Sequence, residues 1–137
     1  VIKSPKLYFY DTGLLCYLLG INTPKELEVH FATGHIFENM VIVDRLKKSL
    51  NERSSDKLYY FRDNNGLELD LIVDRGGVQT GIEVKSSKTF DSEMLTNLNA
   101  WQKINPHADK NGYLIYNGHL EQKMGNNKIT NWKNSLL

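Results

Sequence analysis

Two stretches of alternating apolar residues flank a Gly-Gly pair, and together they constrain the fold of this chain more than any other feature. The first stretch, 67–73, reads LELDLIV, and the second, 79–85, reads QTGIEVK. Gly76 and Gly77 lie between them, and consecutive glycines supply the positive φ angles of a tight hairpin turn. The sequence therefore predicts an antiparallel β-hairpin with Gly76 and Gly77 as a two-residue loop.

The predicted pairing brings charged side chains together. Successive side chains of a strand point to opposite faces, so the odd-numbered positions of 67–73 are expected on one apolar face. A two-residue loop sets Asp70 opposite Glu83 and Glu68 opposite Lys85, whereas a bulge would shift this register by one. Two acidic side chains and a lysine are thus expected on one face of the hairpin.

Facing carboxylates need a compensating charge. At a separation of roughly 5 Å, Asp70 and Glu83 would repel each other. A hard divalent cation such as Mg²⁺ or Mn²⁺ binds oxygen ligands and removes the repulsion, although protonation of one carboxyl is another route. Lys85 would then orient or deprotonate a water, or stabilise developing negative charge. An ordinary solvated strand face with cross-strand ion pairs explains the same pattern.

Composition indicates one globular domain and no strong attraction to nucleic acid through net charge. The chain has 137 residues, of which 40% are hydrophobic and 24% charged, which suffices for a buried core. The formal net charge is only +1, so phosphate contacts would have to come from local basic clusters such as Lys85 with Lys88. The four histidines show no metal-ligand spacing.

Cysteine usage and the absence of long apolar runs indicate the cellular compartment. Cys16 is the single cysteine, so an internal disulfide and a cysteine-based zinc site are excluded. Its apolar neighbours predict a small buried hydrophobe. No signal peptide and no apolar run of ~20 residues occur, so we expect a reducing, cytoplasmic setting without a membrane span. The start at Val1 in mid-pattern is what a fragment of a longer protein would show.

Periodicity predicts the remaining elements. Asp11 is expected to cap a short helix that ends at Gly20, and Thr23-Pro24 to begin another brief turn. The clearest amphipathic helix covers 35–50. Three strands at 58–62, 67–73 and 79–85 follow, then a helix at 91–104, a strand at 112–116 and a further strand at 119–124, with 129–137 ambiguous.

This αβββαβ order, with acid, acid and lysine on the hairpin, resembles the PD-(D/E)XK nuclease superfamily. The resemblance implies an α/β fold with a restriction-endonuclease-like core, in which helices flank a mixed central sheet. Asp70 matches the lone aspartate of that motif, and Glu83-Val84-Lys85 matches its (D/E)-x-Lys part. Glu38, in GHIFEN on the long helix, matches a helical glutamate. A leucine stands before Asp70 where the literal motif has proline.

The same resemblance implies roles for these residues. Asp70, Glu83 and the Val84 carbonyl would hold Mg²⁺ or Mn²⁺, and Lys85 would assist attack of water on a phosphodiester. Glu38 would bind a second metal or anchor a metal-bound water. The chemistry expected on these grounds is metal-dependent hydrolysis of DNA.

Several neighbouring charges have two interpretations. Arg62 would meet a phosphate or simply pair with Glu68, and Lys88 is a weaker candidate for nucleic-acid contact. Glu68 would support a second metal or orient Lys85, but an ordinary ion pair with Lys85 is the simpler expectation. Glu38 itself would serve the site, or else face solvent or pair with Arg45 seven residues on.

A closer resemblance covers nearly the whole chain. The stretches KSPKLYFYDTGLLCYLLG, GHIFENMVIVDRL, YYFRDNNGLELDLIV and IEVKSS are similar, in this order, to the C-terminal domain of bacterial and archaeal AAA+-type ATPases. It implies that 1–33 is a lead-in helix and connector from an ATPase module, and that 34–137 is the nuclease-like domain. No G-x-x-x-x-G-K-[ST] loop occurs, so this chain has no such ATP site.

Two classes of function follow. In the first, the domain is a metal-dependent nuclease. A variant of this class is a nuclease that works only when the ATPase module assembles it into an oligomer. In the second, it is a catalytically inactive module that binds DNA or docks a partner or the ATPase half. The intact acid, acid and lysine set favours the first class, and the near-neutral net charge favours the second.

Overall fold

The computed structural model describes residues 5–135, which form four α-helices and six strands. The helices are α1 (Thr12–Leu18), α2 (Pro24–Val29), α3 (Thr33–Asn51) and α4 (Thr96–Ile104). The strands are β1 (Lys57–Arg62), β2 (Glu68–Arg75), β3 (Val78–Lys85), β4 (Gly112–Tyr116), β5 (Gln122–Met124) and β6 (Asn127–Asn131). Short 3-10 helices at Ser92–Leu95 and Trp132–Asn134 complete the described part of the chain.

The six strands form one mixed sheet in the order β1-β2-β3-β4-β6-β5. Neighbours are antiparallel except for β3 with β4 and β4 with β6, which are parallel. Parallel neighbours need a crossover connection, and α4 supplies it between β3 and β4. The predicted mixed sheet with flanking helices is confirmed.

Local sequence explains where the helices begin. Asp11 caps α1 by accepting hydrogen bonds from the amides of Gly13 and Leu14, at 2.8 and 3.0 Å. Thr23 caps α2, where Pro24 occupies the first helical position. The Asp11 cap and the brief helical turn after Thr23-Pro24 agree with the sequence-based prediction. The prediction that Cys16 is buried is wrong, because α1 has no buried residue and the thiol is only half-buried.

Two apolar clusters cover the two faces of the sheet. One joins α4 to the sheet and contains Leu69, Ile72, Leu98, Trp101, Leu114, Tyr116 and Ile129. The other joins α3 to the sheet and contains Val41, Ile42, Leu71, Val73, Ile82, Val84 and Ile115. Burial of both faces explains why β4 is apolar throughout rather than alternating.

The hairpin turn is as predicted, but the first of its strands does not alternate. Gly76 and Gly77 have φ angles of 62° and 88°, and the ladder between β2 and β3 keeps the two-residue-loop register as far as Leu71 with Ile82. Leu69 and Leu71, however, belong to opposite clusters. The prediction of one apolar face along 67–73 is therefore wrong.

A bulge between β1 and β2 causes this switch of faces. The pairing shifts between Tyr59 with Ile72 and Phe61 with Leu69. One residue of β1 therefore faces two residues of β2, one of which is Asp70. Bulges interrupt alternation and re-aim a side chain, often beside functional sites. Here the bulge lies at the first acidic residue of the candidate site.

Candidate metal centre

Asp70, Glu83 and Lys85 come together at the end of the hairpin opposite the turn. Lys85 Nζ lies 2.9 Å from Glu83 Oε2 and 3.7 Å from Asp70 Oδ2. The Val84 amide donates a hydrogen bond to Asp70 Oδ2 at 2.9 Å. The bulge in β2 and the regular strand β3 thus place the two carboxylates and the lysine in one group, as the sequence predicts.

Glu83 is the most deeply buried member of this group. The residue is 1% exposed, and its Oε1 atom has no hydrogen-bond partner. Burial, and then the charge of Asp70 and a hydrogen bond shared with that carboxyl, raise the pKa of Glu83 to about 8. The hydrogen bond with Asp70 exists only when one of the two carboxyls carries a proton, so Glu83 Oε1 lacks a partner when both are ionised.

Lys85 supplies the positive charge of the group. Burial by itself would lower the pKa of its ammonium, but the negative charges of Asp70 and Glu83 outweigh this effect and raise the pKa. The Lys85 side chain is 37% exposed. It therefore remains protonated while its nitrogen is accessible to solvent or a ligand.

Glu38 reaches the same region from α3 and is held by a lysine that the sequence-based analysis missed. Lys6 Nζ lies 2.9 Å from Glu38 Oε1. Burial and the nearby charge of Asp70 raise the pKa of Glu38, and Lys6 opposes that rise. Glu38 neither faces solvent nor pairs with Arg45, which were the two alternatives to a role in the site. Its side chain is only 16% exposed, and Arg45 pairs with Asp56 instead.

Glu68 connects the same lysine to the sheet edge. Its carboxylate lies 2.8 Å from Lys6 Nζ and 2.7 Å from Arg62 Nη2. Burial would raise the pKa of Glu68, but hydrogen bonds from Lys6 and Arg62 lower it overall. The predicted ion pair between Glu68 and Lys85 is wrong, because Glu68 pairs with Lys6 and Arg62 instead. The ladder between β2 and β3 ends at Leu71 with Ile82, so it does not place Glu68 opposite Lys85.

The segment before α1 carries Lys6 into the site and is fastened to α3. Asn39 accepts a hydrogen bond from the Phe9 amide at 2.7 Å and donates one to the Phe9 carbonyl at 2.8 Å. Tyr8 lies beside Lys6, and burial is the main cause that raises the pKa of its phenol to about 12. No spacing rule reveals a contact between residues 32 positions apart, so local patterns could not find Lys6.

The two candidate nucleic-acid contacts lie at the surface in ion pairs. Arg62 is 56% exposed and pairs with Glu68, which was one of its two expected partners. Lys88 is 71% exposed and lies 3.0 Å from Glu28, itself 64% exposed. Within residues 5–135, no ion pair joins Lys88 to Glu38, Asp70 or Glu83.

Comparison with known proteins places the chain in a family. Residues 33–134 match the family described as Domain of unknown function (DUF4143). The chain belongs to this family. The DUF4143 match covers α3, all six strands and α4, and thus every candidate site residue except Lys6.

Two mycobacterial proteins are similar to this DUF4143 chain. They are the uncharacterized protein Rv2008c of Mycobacterium tuberculosis and the uncharacterized protein Mb2031c of Mycobacterium bovis. Each is 39% identical over 87 residues, covering 64% of this chain and 19% of the relative. The matched part thus spans about a fifth of the length of these relatives.

A metal site at this hairpin in the DUF4143 domain would have to use two carboxylates. Within residues 5–135, no group of three or more His, Cys, Asp and Glu side chains is arranged to hold a metal ion. Asp70 and Glu83 are two carboxylates, and a main-chain carbonyl would be a third ligand of the kind that Mg²⁺ accepts. The unpartnered Glu83 oxygen supports this smaller set.

Within residues 5–135, no helix combines the length and apolar character needed to cross a membrane.

Proposed function

We propose that this DUF4143 domain is a PD-(D/E)XK-type nuclease that hydrolyses phosphodiester bonds of DNA with Mg²⁺ or Mn²⁺. Asp70, Glu83 and the Val84 carbonyl hold the metal. Lys85 assists the attacking water, and Glu38 anchors a metal-bound water or a second metal. Asp70, Glu83 and Val84 adjoin one another at the bulged end of the hairpin.

The observation that carries the proposal is the buried Glu83 oxygen without a partner. Leaving a buried carboxylate unsatisfied costs free energy, typically about 1–3 kcal/mol or more. Natural cores avoid this cost unless the group has another role. A cation beside Glu83 and Asp70 would satisfy Oε1 and remove the repulsion that raises the pKa of Glu83.

The chain's own groups divide the work of hydrolysis. When bound, the metal polarises the phosphoryl oxygen and lowers the pKa of a coordinated water. Lys85, protonated and partly exposed, stabilises the negative charge that develops on the phosphoryl group. The hydrogen bond from Val84 fixes Asp70, so that its second oxygen keeps a constant position. Arg62 and Lys88 contribute phosphate contacts from the surrounding surface.

The domain belongs, in this proposal, to a longer cytoplasmic protein with an N-terminal AAA+-type ATPase module. The support is the sequence resemblance, together with relatives about five times as long as the matched segment. ATP hydrolysis by that module would deliver DNA to the nuclease domain or assemble it into an oligomer.

One observation favours an inactive module instead. Lys6 Nζ lies 2.9 Å from Glu38 and 2.8 Å from Glu68. Its ammonium therefore already pairs with the acidic side chains that a second metal would use. In this alternative the fold binds DNA or docks a partner or the ATPase half, and the acidic residues are structural.

Metal titration with a DNA substrate tests the proposal. The parent chain, Asp70→Ala and Lys85→Ala are titrated with Mg²⁺ and Mn²⁺ by calorimetry, and each is incubated with single-stranded and double-stranded DNA. Nuclease function predicts metal binding by the parent and by Lys85→Ala but not by Asp70→Ala, with cleavage by the parent alone. Metal binding without cleavage by the parent would support the inactive module, and no metal heat would overturn the proposal.

A further inference from the structure

Arg45 is buried on α3 with two of its three guanidinium nitrogens unpartnered. The residue is 6% exposed. Its Nη2 atom bonds to the carboxylate of Asp56, whereas Nε and Nη1 have no hydrogen-bond partner. An arginine buried to this degree normally satisfies its donors, because each lone buried donor costs free energy. The two nitrogens therefore indicate an acceptor that the protein itself does not provide.

Arg45 shares its ion-pair partner, Asp56, with a second arginine. Asp56, with a side chain 1% exposed, is shared with Arg75, which donates to its two oxygens at 2.8 and 2.7 Å. These hydrogen bonds hold the pKa of Asp56 well below its usual range. One carboxylate thus faces two guanidinium groups, and the buried one lacks a full partner.

A cavity of about 230 Å³ lies beside this guanidinium, between α3 and the sheet. Its apolar walls come from Met40, Val41, Leu71, Ile115 and Trp132. Its polar lining consists of Arg45 and Lys48, with Asp44 and Ser135. The cavity therefore combines an apolar body with cationic groups at one wall.

We propose that this cavity binds a small organic monocarboxylate, with the carboxylate on Arg45 and Lys48 and the apolar body against Trp132 and Ile115. Guanidinium groups bind carboxylates through paired, charge-assisted hydrogen bonds, and two buried nitrogens of Arg45 have no other partner. A single negative charge would give Arg45 a partner that it does not share with Arg75. Asp44 is exposed, so solvent screens its repulsion of the anion.

The cavity volume limits the ligand to one ring or a short chain. An apolar cavity of about 150 Å³ accommodates benzene, so 230 Å³ holds a benzene-sized body with a short acid arm. A nucleic-acid strand or a dinucleotide would not fit within it. The site contains none of the candidate metal-centre residues, so it stands independently of the proposed nuclease function.

Two tryptophans make the proposal directly measurable. Trp132 lines the cavity, and its indole N–H donates to Asn117 at 3.2 Å. Trp101 belongs to the apolar cluster on the other face of the sheet. Addition of 3-phenylpropionate should move the indole N–H resonance of Trp132, assigned with Trp132→Phe, and leave that of Trp101 in place. The uncharged 3-phenylpropionamide is the matched probe without the carboxylate.

Charge-reversal variants on the surface of α3 test the carboxylate contact without disturbing the buried pair. Lys48→Glu should raise the dissociation constant for 3-phenylpropionate about tenfold or more. Lys47→Glu makes the same charge change one residue away, at a lysine over the Tyr10 ring, and should leave the constant within about twofold. Arg45→Met should abolish binding, provided that its resonances remain those of a folded chain.

The results separate the proposal from its alternatives. Binding of the acid but not the amide, with the loss confined to Lys48→Glu, supports it. Equal binding of acid and amide would reduce the site to an apolar cavity and overturn the proposal. Equal weakening by both lysine variants, or no movement of the Trp132 resonance with either probe, would overturn it as well.

Discussion

The Val84 amide donates its hydrogen bond to the Asp70 carboxylate at 2.9 Å, so a side chain takes over where regular pairing of β2 with β3 ends. The regular ladder stops at Leu71 with Ile82. Asp70 therefore has two tasks that different substitutions separate. One oxygen closes the hairpin, and in the proposed function the carboxylate charge binds the metal.

Asparagine and alanine at position 70 are expected to behave differently. Asp70→Asn keeps an acceptor for Val84 and loses the charge, so metal binding should disappear while stability is retained. Asp70→Ala leaves a buried amide unpartnered and should lower the free energy of unfolding by about 1–3 kcal/mol. Urea unfolding and Mg²⁺ calorimetry measure the two effects.

Asp74→Asn is the matched control on the same strand. Asp74 lies near the turn, where it accepts a hydrogen bond from Gly77 at 3.0 Å, away from the metal centre. Its metal binding should equal that of the parent chain. If Asp70→Asn still binds Mg²⁺ like this control, Asp70 is not a metal ligand.

Glu83 makes the metal-free chain less stable as pH rises. Its pKa is raised to about 8 in the folded chain from an ordinary value of 4.5, so the folded state binds the extra proton between these values. The free energy of unfolding should then fall with pH from about 5 to 8, by at most ~1.4 kcal/mol per pH unit for one proton.

Glu83→Gln imitates the protonated side chain and should remove most of this pH dependence. We expect urea midpoints of the variant to fall less with pH than those of the parent, and to exceed them at pH 8. Groups with lowered pKa, such as Glu68, act below pH 4.5, whereas Glu38, whose pKa is also raised, leaves a decrease of the same sign in both proteins. A parent chain whose stability rises from pH 5 to 8 would contradict the assignment.

Local chemistry accounts for the elements that could be predicted from the sequence. Gly76 and Gly77 require positive φ, and Asp11 and Thr23 offer oxygens to free helix amides. These signals depend on neighbours within a few residues. Part of the candidate site could be predicted in the same way. The spacing within the hairpin predicts that Asp70, Glu83 and Lys85 lie close together, and the structure brings them together.

The parts that could not be predicted depend on contacts distant in sequence. The bulge beside Asp70 reflects how β1 packs on β2, and periodicity within β2 gives no sign of it. Lys6 reaches Glu38 across 32 positions. The cavity at Arg45 is formed by α3, β2, β4 and the segment after β6, so its buried charge appears in no local pattern.

In the proposed function, Lys6 would compete with a cation for the acidic side chains of the site. Lys6→Met removes the ammonium that lies 2.9 Å from Glu38 and 2.8 Å from Glu68. With the half-buried pair gone, we expect Mg²⁺ to bind about three- to tenfold more tightly, which corresponds to roughly 1 kcal/mol. Calorimetry at constant ionic strength measures the change.

Lys88→Met is the control for net charge. It removes a lysine from an exposed ion pair with Glu28, and screening should keep its effect on Mg²⁺ affinity within about twofold. Tighter binding by both variants would assign the effect to overall charge. Weaker binding by Lys6→Met alone would show that Lys6 organises the site rather than competing with the metal.

Gly81 permits the close approach of α4 to the sheet, and a methyl group there tests the packing that positions β3. A Cβ atom would lie 2.7 Å from Trp101, 2.8 Å from Leu98 and 2.9 Å from Leu69. Gly81→Ala should therefore lower the free energy of unfolding by about 1–3 kcal/mol. Gly34→Ala, whose Cβ would meet only Ser86 at 3.7 Å, should be neutral or slightly stabilising, because alanine favours the helix. Equal urea midpoints for the two variants would contradict this arrangement of α4.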